Sequence, residues 1–252
     1  MNNMRREILT QVAAGTITAE EGAARLETME SPAPPVSAAP IPPTGRQVKV
    51  VSQFGSAEIV GDPSVAFAVA EGPHRARQQG DTMVIEHQPF DDDDSFSFGG
   101  SRRIVVNGIT TFQRRKLTVR MNPDLALVAD VQAGSVRVDG VHGAISSEVQ
   151  AGNCTVSDFR GPLNLAVQAG NIQASGRLER GVSNVKCEMG SVKINLEKGS
   201  SVRIRAHSTM GKVAIEGAGG GLGQGGREVT IGSGAASLEV ECTMGSVKVT
   251  AD

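Results

Sequence analysis

The chain has 252 residues, a formal net charge of −2 and 31 glycines, but only 3 % aromatic residues, with neither Trp nor Tyr. The near-neutral charge argues against a dedicated nucleic-acid binder, because phosphate affinity depends on clustered Lys and Arg. Seven Phe are too few for base-stacking surfaces or for the aromatic platforms of sugar-binding clefts. The composition leaves a glycine-rich chain whose 39 % apolar residues suffice for a core.

The start of the chain, MNNMRREILTQVAAG, has an apolar run that is too short for a signal peptide and that Gln11 interrupts. Because no run of about 18 apolar residues occurs, we expect no integral membrane segment and a cytoplasmic location, with membrane association left open. The three cysteines, Cys154, Cys187 and Cys242, are too far apart for a CxxC metal site. The sequence therefore predicts no metal and no cofactor.

Residues 1–30 are predicted to form a helical hairpin. Apolar residues at helical spacing precede Gly15, and Thr18 with Glu21 forms a capping box at the start of a second helix. Two helices of about three turns each bury too little apolar surface to outweigh their ordering entropy. The hairpin must therefore either dock on the rest of the chain or self-associate.

Residues 31–45 contain six of the eleven prolines and no charge, which is typical of an extended, semi-rigid linker. A linker of this kind separates the hairpin from the residues that follow, so it favours self-association over docking. We expect oligomerisation through six apolar side chains of the hairpin: Ile8, Leu9, Val12, Ile17, Ala23 and Leu26.

From Arg46 onward the apolar pattern changes to period two, which predicts an all-β body over residues 46–252 and no helix after residue 30. Before the repeats begin, strands are expected at residues 47–59, 64–70, 82–87, 103–106 and 116–121. Clusters of Gly, Pro and Asp separate these segments.

A glycine repeat organises the second half of the chain. Gly134, Gly152 and Gly170 stand 18 residues apart, each after the dipeptide Gln-Ala, and wider spacings follow. A period near 20 residues predicts a parallel β-helix-like solenoid, in which each repeat is one coil buried against its neighbours. The hexapeptide rule of left-handed β-helices fails here, so we expect a right-handed or irregular solenoid. The structural repeat turns are Gly134, Gly152, Gly170, Gly190, Gly211 and Gly245.

Aligning the repeats predicts columns of equivalent side chains. One inward column contains Val131, Val149, Val167, Cys187 and Cys242, and a second contains Val136, Cys154, Ile172, Val192, Val213 and Val247. The cysteines are thus interpreted as small core residues. A third column, Ala133, Ala151 and Ala169 followed by Met189, Met210 and Met244, is also assigned to the core. We interpret its methionines as flexible packing groups and not as copper ligands. Between these positions an outer ladder is expected from Gln132, Gln150 and Gln168.

The segment between residues 101 and 120 shows the one local charge asymmetry, with six basic residues and no acid. These side chains are either membrane or partner contacts or simply basic residues on outer strand faces. The six residues are Arg102, Arg103, Arg114, Arg115, Lys116 and Arg120.

No catalytic residues are assigned. The glycine-rich run at residues 217–226 lacks the GK[ST] ending of a phosphate-binding loop and is interpreted as a flexible insertion. The Asp91 to Asp94 run lacks the ligand spacing of a calcium loop. The four histidines are scattered, and the outward repeat positions are occupied by Gln, Ser, Arg and Asn rather than by acids. We therefore expect a protein that is not an enzyme.

Two segments carry a resemblance to a known family. The stretch KLTVRMNPDLALVADVQAGSVRVDG and the terminal GSGAASLEVECTMGSVKV resemble the bacterial β-strand-repeat family labelled "putative adhesin", also called toast-rack domains. The hairpin VAAGTITAEEGAARLETM resembles the short oligomerisation-type domain that often precedes such repeats. The resemblance implies a parallel β-helix-like body, no known catalysis and an association with bacterial envelope-stress systems.

These observations lead to three hypotheses of function. The first is a non-enzymatic structural or interaction scaffold that oligomerises through its N-terminal helices and presents a repetitive β surface. Its partners would be further copies of itself and an envelope-stress membrane protein, but no nucleic acid. The second is a membrane-surface-binding stress sensor, and the third is a solenoid polysaccharide hydrolase or lyase. A variant of the first hypothesis has solenoids stacking end to end, because the last repeat has no obvious cap.

Overall fold

In the computed structural model the described residues, 45–88, 116–217 and 222–251, form twelve β-strands and contain no helix. The all-β prediction is confirmed for this part of the chain. No segment within these three ranges forms a helix that could span a bilayer. The predicted hairpin, the linker up to residue 44, and the predicted strand at residues 103–106 lie outside the described residues.

The strands have the following bounds in chain order. They are β1 (Gln47–Gly61), β2 (Ala68–Glu71), β3 (His74–Gln79), β4 (Thr82–His87), β5 (Lys116–Met121), β6 (Ala126–Asp139), β7 (Ile145–Phe159), β8 (Leu163–Gly176), β9 (Gly181–Leu196), β10 (Val202–Glu216), β11 (Leu222–Ile231) and β12 (Ala236–Ala251). Strands β4 and β5 coincide with their predicted ranges. Strand β3 was not predicted, because its charged and amide side chains are mostly exposed and show no apolar alternation.

Seven long strands of 14 to 16 residues form a stack of parallel neighbours in register: β1, β6, β7, β8, β9, β12 and β10. The sheet they form is open. Each long strand is one coil of the stack, and the glycine of each repeat lies inside the strand, where the prediction had placed a turn between strands. The handedness of the stack stays a prediction.

Each coil bends at its glycine so that its two arms face one another. In β7 the buried side chains before Gly152 include Ser147, and those after it include Cys154. The Cys154 thiol donates a hydrogen bond to Ser147 Oγ at 3.7 Å, which joins one arm to the other across the interior. The core therefore lies between the two arms and runs along the whole stack as one cluster of buried side chains.

The two inward columns occur as the repeat predicts. Residues of the first column are 0–2 % exposed, and strand register aligns them from Val131 through Val149 and Val167 to Cys187 and Cys242. Polar side chains continue this column at both ends. Ser52 and His87 lie at one end, where Ser52 Oγ is 2.8 Å from His87 Nδ1, and Ser208 lies at the other.

The coils do not stack in chain order, which corrects the sequence-based expectation. Strand β12 lies between β9 and β10, so the last coil in the chain is internal to the stack. The opposite end shows the same reversal, because β1 lies between β6 and an end coil made of β4 and β5. Period and composition predict which residues of different coils are equivalent. They do not predict the spatial order of the coils, because coils with nearly identical inward side chains can exchange places and still bury the same residues.

Antiparallel strands close both ends of the stack. Strand β11 pairs antiparallel with β10, while β3 and β2 pair antiparallel with β4 and β5. The insertion that was interpreted as flexible therefore contributes a strand from residue 222 onward. The expectation that the last repeat forms an uncapped end is wrong, because that repeat is paired on both sides and the true end coil is covered.

Candidate functional site

A column of glycines lies at the bend of the coils. The six predicted repeat glycines are in register, and a seventh, Gly55 of β1, extends the column. Gly152 has a φ of 145°, and a Cβ on it would overlap the carbonyl oxygen of Gly134 in the next coil. The same overlap recurs at every step of the column. Glycine is therefore required by the close approach of successive backbones and not only by the bend.

Gly55 was missed in the sequence although a signal existed. The tetrapeptide Gln53-Phe54-Gly55-Ser56 matches the Gln-Ala-Gly-Ser of the first recognised repeat in three of four positions. The alanine of the Gln-Ala-Gly repeats is replaced here by a large aromatic residue, so this copy lacks the repeated tripeptide. The first coil of the chain is thus a full member of the stack.

The residues immediately before the glycines form a column along the bend, which we call the apolar ridge; all of them are exposed except Ala133 and Ala169, which are half-buried. In spatial order it consists of Phe54, Ala133, Ala151, Ala169, Met189, Met244 and Met210. Among the described residues six large hydrophobic side chains are exposed, and four of them belong to the ridge: Phe54 at 53 %, Met189 at 51 %, Met244 at 46 % and Met210 at 67 %. Aligned exposed apolar side chains are typical of contact surfaces.

The ridge corrects the assignment of its methionines to the core. In β9 the last inward residue is Cys187 and the next is Val192, on either side of the bend. Met189 lies between them at the outside of the bend, where strand alternation no longer decides which side a residue faces. Period-two reasoning fails at this position because the strand turns a corner there.

Two polar columns, almost free of charge, flank the ridge. On one side lie Gln53, Gln132, Gln150, Gln168, Glu188, Thr243 and Thr209, all exposed. On the other side of the glycines lie Ser56, Ser135, Asn153, Asn171, Ser191, Ser246 and Lys212. Here Asn171 Nδ2 donates to Asn153 Oδ1 at 3.1 Å, and Ser191 Oγ donates to Asn171 Oδ1 at 2.6 Å. Two opposite charges are the only ones in these flanking columns.

The three thiols are buried, and two of them are neighbours. Because β12 lies beside β9, Cys187 and Cys242 are register partners, whereas Cys154 lies in the other arm of the middle coils. The Cys187 thiol donates to the Gly170 carbonyl at 3.7 Å and the Cys242 thiol to the Gly190 carbonyl at 3.9 Å. Burial raises the pKa of Cys154 and of Cys187 to about 11, and it also raises the pKa of Cys242. All three are therefore protonated at neutral pH.

A groove of about 500 Å³ lies on the outer face of β10 and β12 beside β11. Its lining includes Arg205, His207, Gly226, Glu228, Glu239 and Glu241. Arg205 Nε lies 3.3 Å from Glu228 Oε2, and a Cβ on Gly226 would lie 3.2 Å from His207 Nδ1. The outward positions of these coils thus carry acids, contrary to the sequence-based expectation that Gln, Ser, Arg and Asn occupy them.

The predicted basic contact is described at two of its six residues, and both are ion-paired. Lys116 pairs with Glu58, and Arg120 lies 3.2 Å from Glu71 and 3.7 Å from Asp62. Hydrogen bonds from Ser64, more than the charge of Arg120, lower the pKa of Asp62. The four remaining residues, Arg102, Arg103, Arg114 and Arg115, lie outside the described residues, as do the six apolar residues assigned to oligomerisation.

Comparison with known proteins gives one distant likeness. No family model matches the chain, and no curated protein matches it. The chain is similar to a solved structure described as a "putative cell adhesion protein" from Clostridium sporogenes ATCC 15579. The identity is 16 %, the TM-score is 0.45, and the match covers 82 % of this chain and 94 % of that chain. A likeness this distant indicates neither a family nor a function.

Proposed function

We propose that this protein is a non-enzymatic scaffold that assembles with further copies of itself and whose contact surface is the apolar ridge. The observation that carries the proposal is that, in the part of the chain the structure describes, four of the six exposed large hydrophobic side chains lie in one register column. Exposed hydrophobic side chains on a monomer are normally scattered singly over its surface. A contact surface instead groups them in one place, as this column does.

The size of the ridge indicates that it does not hold copies together alone. Seven strands with a spacing of about 4.8 Å give a ridge about 29 Å long. With its two flanking columns the strip is about 10 to 13 Å wide, or roughly 300 to 400 Å² per copy, compared with about 800 Å² per partner in a stable complex. A second attachment is therefore needed. The predicted N-terminal hairpin supplies it by raising the effective concentration of neighbouring ridges.

The charge around the ridge favours a second copy as the occupant. The flanking columns carry one Glu and one Lys among fourteen residues, so two ridges can face each other without like-charge repulsion. A twofold arrangement would bury the same strip on both copies. A strongly charged partner would find no complementary charge along this surface.

Light scattering of the full chain tests the proposal. We expect an oligomer whose mass falls to that of a monomer when residues 1–30 are deleted. Replacing both ends of the ridge with charge, Phe54→Glu with Met210→Glu, should raise the dissociation concentration at least about tenfold. Val69→Glu with Val182→Glu is the matched control, because Val69 and Val182 are 46 % and 67 % exposed but lie outside the ridge.

Two results would contradict the scaffold. An unchanged mass after deletion of residues 1–30 would exclude the hairpin as the oligomerisation element. An effect of the Val69→Glu and Val182→Glu double variant as large as that of the ridge variant would show that added charge, and not the ridge, weakens assembly. The envelope-stress membrane protein implied by the family resemblance remains part of this proposal as a further partner of the assembled scaffold.

The membrane-surface sensor is the alternative that the basic segment favours. Because Lys116 and Arg120 are already paired with carboxylates, lipid binding would depend on Arg102, Arg103, Arg114 and Arg115. Co-sedimentation with vesicles that contain anionic phospholipid, compared with zwitterionic vesicles at low and high salt, separates the two functions. Binding that needs anionic lipid and falls with salt supports the sensor, and indifference to both excludes it.

The groove beside β11 is where a polysaccharide hydrolase or lyase would have its acids. Glu239 and Glu241 follow one another on the same face of β12, and His207 lies on the adjacent strand. A glycan substrate screen with the wild-type chain tests this alternative. Activity that disappears in Glu239→Gln or Glu241→Gln would replace the scaffold by an enzyme.

A further inference from the structure

The side chains of the apolar ridge change in size along its length. In spatial order the ridge begins with one aromatic residue, continues with three alanines and ends with three methionines. Large side chains therefore stand at both ends, with Phe54 at one end and Met210 at the other. The three alanines next to Phe54 project only a methyl group each, so this part of the ridge has room for side chains of a second copy.

A twofold axis can relate two facing ridges in two ways. If the axis runs along the ridge, both ridges point in the same direction and every residue faces its own equivalent. If the axis crosses the ridge at right angles, the ridges point in opposite directions and their residues pair in reverse order, which we call the opposed arrangement. The same-direction arrangement places alanine against alanine at three successive levels and methionine against methionine at three others. It therefore leaves a gap in one half of the interface and crowds the other half.

The opposed arrangement matches large side chains with small ones. When the two ridges overlap fully, Ala133 of each copy faces Met244 of the other copy. In the same way Ala151 faces Met189, and only Ala169, at the twofold axis, faces its own equivalent. Layers in which large residues oppose small ones interdigitate without voids or strain. Side-chain size therefore favours the opposed arrangement.

The two ends of the ridge also gain partners in this arrangement. Phe54 of each copy faces Met210 of the other, so the twofold symmetry produces this contact twice. Both side chains are more than half exposed in the single copy, at 53 % and 67 %. A methionine sulfur against an aromatic ring is a favourable contact, and methionine adapts its shape to the ring. The two most exposed residues of the ridge are thus covered together.

The polar columns beside the ridge fit the opposed arrangement. Glu188 of one copy faces the amide of Gln150 in the other, and Lys212 faces the hydroxyl group of Ser56. No like charges meet along either column. At the axis Gln168 faces its own equivalent, and because an amide both donates and accepts hydrogen bonds, two such side chains are complementary to each other.

We propose that two copies of this chain associate through their apolar ridges in the opposed arrangement, with the twofold axis at Ala169. This inference rests on the proposed scaffold function, because it specifies how the ridge of one copy engages the ridge of another. The symmetry is closed, so each ridge has one partner. The ridge contact therefore produces pairs of copies and not an open filament.

A charge swap at the two ends of the ridge tests the orientation by light scattering of the full chain. In the opposed arrangement Phe54→Glu with Met210→Lys brings opposite charges together, whereas Phe54→Glu with Met210→Glu brings like charges together. The two positions are about 29 Å apart within one copy, so they do not pair with each other there. We expect the Glu/Lys variant to dissociate at a concentration at least about tenfold lower than the Glu/Glu variant. The same two charge combinations at Val69 and Val182, outside the ridge, are the matched controls and should not differ.

A size swap tests the matching of alanine with methionine. Ala151→Met and Met189→Ala should each raise the dissociation concentration at least about fivefold, the first by crowding two methionines and the second by leaving a gap. The double variant should return to within about threefold of the wild type, because the two positions face each other across the interface. Alanine and methionine both occur in this column of the stack, so these variants are expected to fold.

The outcomes separate the opposed arrangement from the scaffold function. Equal weakening in the Glu/Lys and Glu/Glu variants would overturn the opposed arrangement while leaving the ridge as the contact surface. A double size swap that assembles no better than the weaker of its single variants would have the same meaning. If the Glu/Glu variant assembles as the wild type does, the ridge is not the contact surface, and both the arrangement and the proposed function are wrong.

Discussion

The middle coils and the C-terminal coils share one backbone plan and differ in their side chains. In β6, β7 and β8 the repeat is 18 residues, chain order equals spatial order, and the ridge residue is alanine. In β9, β12 and β10 the spacing is irregular, two coils exchange places, and the ridge residue is methionine. The glycine column is continuous through both. The backbone contact at the bend therefore defines a coil, while the ridge and the inward column are free to carry different chemistry.

The largest expected effect comes from breaking the feature that both regions share. Gly152→Ala would place a methyl group on the carbonyl oxygen of Gly134 in a backbone with φ 145°. Both the overlap and the strained φ must be relieved by moving a strand that is paired on both sides. We expect a loss of at least about 4 kcal/mol in the free energy of unfolding, measured by urea denaturation.

Two further glycines sharpen this prediction. Gly80→Ala, in the turn between β3 and β4, has a φ of 59° but nothing within 4 Å of the new Cβ, so it should cost only about 1 to 2 kcal/mol. Gly211→Ala in the end coil has the same overlap, with Gly245, and an intermediate cost is expected because one neighbour of that coil is the short strand β11. Gly211 lacks the left-handed φ of the other two glycines. A loss in Gly80→Ala as large as that in Gly152→Ala, with little loss in Gly211→Ala, would show that φ, and not the backbone contact, requires glycine.

Much of the fold was predictable because it depends on which residues occupy equivalent positions in successive repeats. Period and composition predicted the all-β body, and the glycine spacing predicted which valines and cysteines share a column. These properties are local, since they follow from alternation along a strand and from one close backbone contact per coil. They hold equally for the regular middle coils and for the irregular C-terminal ones.

The candidate sites were less predictable because they depend on the order of the coils and on the geometry of the bend. The pairing of Cys187 with Cys242 requires β12 to lie beside β9, and no local pattern encodes that choice. The exposure of Met189 requires the strand to turn a corner where alternation ends. Both features distinguish the C-terminal coils from the middle ones, so the sequence was least informative about the C-terminal coils.

Core substitutions in each region test whether the two regions unfold together. Leu165 in the middle coils and Leu238 in the C-terminal coils are each 1 % exposed and belong to one core cluster. Leu165→Ala and Leu238→Ala should each cost about 2 to 4 kcal/mol and shift a single transition. If Leu238→Ala splits the urea curve into two transitions, the C-terminal coils form a separate cooperative unit, as repeat proteins allow.

The smallest expected effect is the fall in the free energy of unfolding that one buried thiol from each region causes as pH rises. Burial raises the pKa of Cys154 and Cys187 to about 11, whereas a thiol in the unfolded chain titrates near about 8.5. Above that pH the unfolded state releases protons that the folded state keeps, so the free energy of unfolding falls until pH passes about 11. At pH 10 each thiol should account for a loss of roughly 1 to 2 kcal/mol relative to pH 7.

Valine variants isolate each contribution, because valine occupies both columns and does not titrate. The loss between pH 7 and pH 10 should shrink by roughly 1 to 2 kcal/mol in Cys154→Val, with other titrating groups cancelling in the comparison. In Cys187→Val the reduction should be no larger, since that thiol lies next to the bend and Cys154 lies deeper between the arms. A larger reduction in Cys187→Val would mean that the bend is the drier of the two environments. The ridge methionines would then shield the thiol pair from solvent.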